Sequence, residues 1–339
     1  MKIIGFGIAG LGRIGKIHFR NVNTFCENAK VVALSNLNDK NIAWIKSKQM
    51  KINIYDRFDQ MVNDIHVDAV IISSPTSYHS EQIQIALSAG KAIFCEKPID
   101  LSLEKVLQVQ ELLNKSKIPF MVGYNRRFDP NILKIKKDLE SGVIGTLQII
   151  KITSRDPSPP DLDYMKKSGG LFLDMSIHDF DMACYLSKQK VKKVYSTGSV
   201  FGDKEIKKIG DIDTAITTIT FENGSLATID NSRKSNYGYD QRVEVFGSLG
   251  MSISQNQLSN NNIVANNKGI HYSKPLGFFI ERYSQSYIAI MNEFINCIIN
   301  KKEISNGINA GLDSLKIALA AKMSFNENRV VFFDEIIQH

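Results

Sequence analysis

The chain has 339 residues, 43% hydrophobic and 23% charged, with a formal net charge of +7. That length suits two domains with sizeable cores and excludes a small module or a disordered chain. The charge comes from 32 Lys and 10 Arg; the lysines are scattered and form no basic motif, so no nucleic-acid partner is expected.

No apolar run reaches the ~20 residues needed to span a bilayer, so no membrane association is expected. The start, Met1-Lys2-Ile3-Ile4, runs into glycines and Arg13 without a small-residue cleavage site, which argues against a signal peptide. Cys26, Cys95, Cys184 and Cys297 lie far apart with no CxxC or zinc spacing. No metal is expected, and a reduced, cytoplasmic protein fits.

In chain order, residues 2–9 read as a buried strand entering a Gly-rich turn, followed by a helix at 13–25. Strand-like runs recur at 30–35, 52–55, 68–72, 92–95 and 119–122. Helical patterns fall between them at 39–49, 57–65, 79–89 and 101–117. This alternation predicts a doubly wound parallel sheet over 1–123. The pattern changes after Gly123. Longer strands are expected at 147–153, 191–200, 214–221, 225–230 and 241–246, with a hairpin turn at Glu222-Asn223-Gly224. Residues 255–269 read as a loop or weak hairpin, 282–300 and 309–324 as helices, and 330–333 as a short strand. The fold class is therefore α/β: a Rossmann-type sheet, then an α+β domain over 124–339 with an open, mostly antiparallel sheet.

Gly10-Leu11-Gly12-Arg13-Ile14-Gly15 matches the dinucleotide fingerprint GxGxxG between a predicted strand and a predicted helix. Gly10, Gly12 and Gly15, with Arg13 and Ile14, are the candidate pyrophosphate turn. Asn36 ends the second strand where an acidic residue for the adenosine ribose is usual. NAD is the expected cofactor; NADP stays open because Asn36 does not repel a 2′-phosphate and Arg13 and Lys40 would attract one. Ser73-Ser74-Pro75 and Glu96-Lys97-Pro98 follow the fourth and fifth strands, at the carboxyl edge where such sheets bind ligands. His79 reads as a helix-start residue.

Asp174 and His178 stand four residues apart in Gly169-Gly170-Leu171-Phe172-Leu173-Asp174-Met175-Ser176-Ile177-His178-Asp179. On a helix that spacing puts both on one face. A carboxylate there raises imidazole basicity, and an imidazole near neutral pH suits proton abstraction from an alcohol.

Together with Gly123-Tyr124-Asn125-Arg126-Arg127-Phe128-Asp129 and the run from Tyr237 to Gly247, these motifs resemble the glucose-fructose oxidoreductase/inositol dehydrogenase/rhizopine catabolism (Gfo/Idh/MocA) family over nearly the whole chain. The blocks after Gly123 look most like its inositol dehydrogenases. The resemblance implies a catalytic set of Lys97, Asp174 and His178. It extends the cofactor set to Ser73, Ser74, Pro75, Glu96, Lys97, Asn125 and Arg126, and adds Arg127, Asp156 and Tyr237 to the three catalytic residues as substrate contacts. Arg127 could instead pin the domain junction, and Asp156 could cap the turn at Pro157. The implied reaction is NAD(P)-dependent oxidation of a cyclic polyol, myo-inositol to 2-keto-myo-inositol (scyllo-inosose), by a homo-oligomer, a dimer or a homotetramer. The alternatives are another inositol isomer, a sugar, or a non-catalytic NAD(P)-binding regulator.

Overall fold

The computed structural model describes residues 3–337. Two compact units emerge: one is the chain up to Asn125 together with Gln285–Asp313, the other Arg126–Ser284 with the chain from Ser314 onward.

The first unit holds six strands: β1 Ile4–Ala9, β2 Ala29–Ser35, β3 Asn53–Tyr55, β4 Ala69–Ile72, β5 Ala92–Cys95 and β6 Phe120–Val122. They pair in the order β3-β2-β1-β4-β5-β6, every pair parallel. This is the doubly wound order expected, with helices at Arg13–Phe25, Asp39–Lys46, Phe58–Val62, His79–Ser88 and Leu103–Asn114. β1, β4 and β5 are buried along their whole length, as strands covered on both faces must be.

The single boundary expected at 123/124 lacks one feature: residues 285–313 return to the first unit. The ring of Phe294 packs 6.2 Å from Phe6 and 5.8 Å from Phe94, centroid to centroid. Asn306 Nδ2 donates to the Val122 carbonyl at 2.7 Å and its own carbonyl accepts from Val122 N at 2.9 Å, so the β6 edge is paired.

The second unit is built on a seven-stranded sheet. Its strands in chain order are β7 Leu147–Arg155, β8 Val191–Ser199, β9 Thr214–Phe221, β10 Leu226–Ser232, β11 Asp240–Gly247 and β12 Gly250–Ser254; after a separate hairpin of β13 Ile263–Asn266 and β14 Gly269–Tyr272 comes β15 Val331–Phe332. The order is β12-β11-β7-β10-β9-β8-β15. Only β7–β10 is parallel; the other pairs are antiparallel. The β9–β10 turn closes at Glu222-Asn223-Gly224, where Gly224 takes φ +88° and donates to Phe221 O.

Strand β12 and the helices Pro130–Glu140 and Leu162–Ser168 were not anticipated. The first helix carried legible start signals: Asp129 caps it, accepting from Asn131 N and Ile132 N, and Pro130 opens it. The hairpin expected within 255–269 lies further on, at 263–272. Helix Ile177–Ser187 is buried almost all round, including Asp179 and Asp181. Those charges are compensated in the same unit by Arg126 on Asp179 and Arg127 on Asp181, each at 2.6 Å.

Candidate active site

The glycine turn of the first unit leaves β1 and opens helix Arg13–Phe25. Gly10 takes φ +82°, and a Cβ there would lie 2.9 Å from Ser73 O. A Cβ on Gly15 would lie 2.1 Å from Gly10 O. Those two glycines are demanded by the fold itself. Gly12, the helix N-cap, is different: a Cβ there meets nothing within 4 Å. Open space beside a helix N-terminus with no acidic residue in its first turn fits a pyrophosphate.

The other candidate cofactor residues of this unit surround that turn. Ser73 Oγ donates to Gly10 O at 2.8 Å, and Ser74 Oγ to Gln82 Oε1 at 2.6 Å. Asn36 is exposed at the end of β2 with φ +57°, a conformation an Asn tolerates well. Glu96 is buried, its Oε1 2.6 Å from His18 Nε2. That contact ties the end of β5 to the helix of the glycine turn. Asn125 is buried and donates to Ser286 Oγ at 3.0 Å. Lys97 is half-buried beside a cis peptide to Pro98. His79 begins its helix as expected, but it also bridges two loops: Nδ1 lies 2.8 Å from Pro98 O and Nε2 2.8 Å from Ser74 O. Burial pulls its pKa below the ordinary histidine range, offset in part by those two carbonyls.

In the second unit, Asp174 lies in a π-helical turn, Leu171–Ser176, that runs directly into helix Ile177–Ser187. His178 is the second residue of that helix. Four residues come to about one full turn across the π-to-α junction, so both side chains keep to one side of the rod, and both are half-buried. The preceding Gly169 and Gly170 take φ +89° and +85°. A Cβ on Gly170 would sit 2.7 Å from Asp211 Oδ1, the atom that accepts from Leu171 N at 2.9 Å. The Gly-Gly pair therefore lets Asp211 cap the π-turn.

Asp174 Oδ1 accepts from Tyr164 Oη at 2.8 Å, and Asp174 Oδ2 lies 3.6 Å from Arg233 Nη1. Asp156 follows β7, and Arg233 follows β10. Because β7 and β10 run parallel with Arg155 opposite Ser232, the two residues emerge side by side at one sheet edge. Burial pushes the Asp156 carboxyl up to about 6; Arg126 and Arg233 pull it down, while Asp174 and Asp179 push it further up.

Three candidates carry heavy structural loads. Arg127 is buried, holds Asp181 through Nε and Nη2, and stacks 4.8 Å from the Tyr185 ring. All of these contacts lie within the second unit. Arg126 is buried on Asp179, 5.3 Å from the Tyr283 ring. Tyr237 is 44% exposed; its hydroxyl donates to Asp240 Oδ2 at 2.5 Å and accepts from Arg155 Nη1 at 3.0 Å. Arg233, Asp211 and Tyr164 did not emerge from the sequence. Their only early signal was the Gly-Gly pair, which implied a tight approach without saying to what. Among the described residues no cluster of His, Cys, Asp and Glu could hold a metal, and no helix is long and apolar enough to cross a membrane.

Residues 4–124 match the model of an oxidoreductase family with an NAD-binding Rossmann fold, and residues 132–253 match the GFO/IDH/MocA C-terminal domain. The chain is 44% identical to an uncharacterised oxidoreductase, YrbE, of Bacillus subtilis, over 95% of this chain and 94% of that one. It is 41% identical to myo-inositol 2-dehydrogenase of Thermotoga maritima, over 98% of this chain and 99% of that one. Among solved structures, scyllo-inositol dehydrogenase of Lactobacillus casei with bound NAD(H) and scyllo-inositol superposes with a TM-score of 0.92 at 33% identity, covering 98% of this chain and 100% of that one. A fingerprint turn, a paired two-unit architecture and matches along the full length place this chain in the Gfo/Idh/MocA oxidoreductase family.

Proposed function

We propose that this protein oxidises a secondary hydroxyl of a cyclic polyol with NAD, converting myo-inositol to 2-keto-myo-inositol (scyllo-inosose). The observation that carries this reading is the pairing of Asp174 and His178 along one side of a continuous helical rod, in a chain 41% identical end to end to a myo-inositol 2-dehydrogenase. NAD, when bound at the glycine turn, supplies the hydride acceptor. Gly10, Gly12, Arg13, Ile14 and Gly15 would hold its pyrophosphate at the helix N-terminus, and Asn36 would take a ribose hydroxyl.

The substrate is uncharged, so directed hydrogen bonds must select it. His178 takes the proton of the reacting hydroxyl. Asp174 holds the imidazole basic and accepts a ring hydroxyl. The Lys97 ammonium favours the developing alkoxide. Asp156 accepts another ring hydroxyl, and Tyr237 lines the substrate side. Initial rates with myo-, scyllo- and chiro-inositol and glucose, each with NAD and NADP, test the reading. Turnover fastest with myo-inositol and NAD is expected. NADH binding without turnover of any polyol would instead make the chain a regulator. Fastest turnover of scyllo-inositol would move the assignment to that isomer, which the Lactobacillus casei relative binds.

We also propose a homo-oligomer, formed through the outer face of the seven-stranded sheet. Strand register puts Leu226, Ile149, Phe246 and Met251 in one row across β10, β7, β11 and β12, between 40% and 57% exposed. Such an apolar row needs covering. The four thiols form no disulfide, in keeping with a cytoplasmic setting.

A further inference from the structure

Arg233 takes no part in the chemistry described so far. Its side chain is 1% exposed and is one of the largest wholly buried side chains of the protein. The backbone fixes it firmly: Arg233 N donates to Asp213 O at 2.7 Å, directly after β10. Its guanidinium lies between two carboxylates, with Nη1 3.6 Å from Asp174 Oδ2 and Nη2 3.8 Å from Asp211 Oδ2. Each carboxylate has a second anchor. Asp174 Oδ1 accepts from Tyr164 Oη, and Asp211 Oδ1 accepts from Leu171 N and Ile212 N, the latter at 2.9 Å.

Guanidinium cannot lose its proton in a protein, so a permanent positive charge is built into this site. Three carboxylates share it: Asp174, Asp211 and Asp156, which leaves β7 beside it. The separations of 3.6 and 3.8 Å exceed hydrogen-bond length. Charge, not fork geometry, therefore couples Arg233 to Asp174.

We propose that Arg233 is a positioning residue whose buried charge holds the Asp174 carboxylate in place for its work with His178, and that Asp211 competes for the same cation while capping the π-turn. This inference rests on the dehydrogenase reading above. The titratable groups around the Asp174–Arg233 pair within its unit are Tyr164 from helix Leu162–Ser168 and Asp156 after β7, with Asp211 before β9 on the far side of Arg233 and His178 one turn along the rod of Asp174. Without Arg233, three neighbouring acids lose their shared counter-charge, and Asp174 loses the cation beside its Oδ2.

The test compares Arg233→Met and Arg233→Lys with wild type. The readouts are kcat/KM for myo-inositol from pH 5 to 9 and NADH affinity by fluorescence. Arg233→Met should lower kcat/KM by up to about tenfold on the acid side of the profile, the loss that a one-unit displacement of the limb produces. Its acid limb should move up by about one pH unit. NADH affinity should stay within about threefold of wild type, a change worth well under one pH unit of free energy. Because the coupling is charge to charge, Arg233→Lys should recover most of the rate and return the limb. Equal losses in both variants with an unmoved limb would reduce Arg233 to packing and overturn the proposal. If Arg233→Met does not fold, Asp211→Asn decides: freeing the cation for Asp174 should move the limb to lower pH, and an unmoved limb overturns the proposal. Wild-type protein inactive on every polyol would sink the dehydrogenase reading itself; active wild type with an equally active Arg233→Met sinks this inference alone.

Discussion

His178→Ala should lower turnover by about 10² to 10⁴, the usual worth of a general base, while NADH binding survives. Steady-state rates and fluorescence titration on one preparation check both halves, and wild-type turnover would remove His178 from the role. Asp156 offers a test through stability. Its pKa rises in the fold from 3.8 to about 6, chiefly by burial. The folded state therefore prefers the neutral acid: the resulting stabilisation is complete below pH 4 and lost as pH climbs through 6. Asp156→Asn cannot ionise and escapes that loss. It should melt above wild type at pH 8 by an amount worth about 1–2 kcal/mol, less than the full two-unit shift because the group is half-buried, and the gap should close at pH 4. A constant gap at both pH values would mean that the carboxyl titrates normally.

Elements explain why the three fingerprint glycines are not equivalent. Gly15 faces the Gly10 carbonyl and Gly12 faces open space. Gly15→Ala must displace backbone and should fail to give soluble, cooperative protein. Gly12→Ala should cost no more than about 1 kcal/mol of stability, the price of a poorer N-cap. Its effect should appear in binding, as NADH affinity about tenfold weaker, on the scale of one or two lost hydrogen bonds. Thermal melts beside NADH titrations separate the two; weak NADH binding with an intact melt only in Gly15→Ala would reverse the assignment. In the second unit, the parallel pairing of β7 with β10 is the detail that matters. An antiparallel pair would send Arg233 to the opposite edge from Asp156.

At the scale of the whole molecule, the exposed row on β10, β7, β11 and β12 predicts association. Phe246 lies opposite both Ile149 and Met251. Phe246→Glu puts a charge in the middle of that row and should shift the protein to a smaller species in light scattering after size exclusion, with its melt little changed. Wild type already monomeric at micromolar concentration would remove the sheet face from consideration.

Periodicity and turn chemistry along the chain determined the six-strand doubly wound unit, the glycine turn, the β9–β10 hairpin and the Asp174–His178 pair. All of these depend on residues close together in sequence, where spacing alone decides which side chains share a face or close a turn. Only the tertiary structure decided that residues 285–313 belong with the first unit, that Arg127 is spent on Asp181, and that Arg233 lies between Asp174 and Asp211. Arg233 stands 59 residues from Asp174 in the chain. Its charge reaches that carboxylate only because a central strand pairs in parallel, and nothing local to either residue specifies such a pairing.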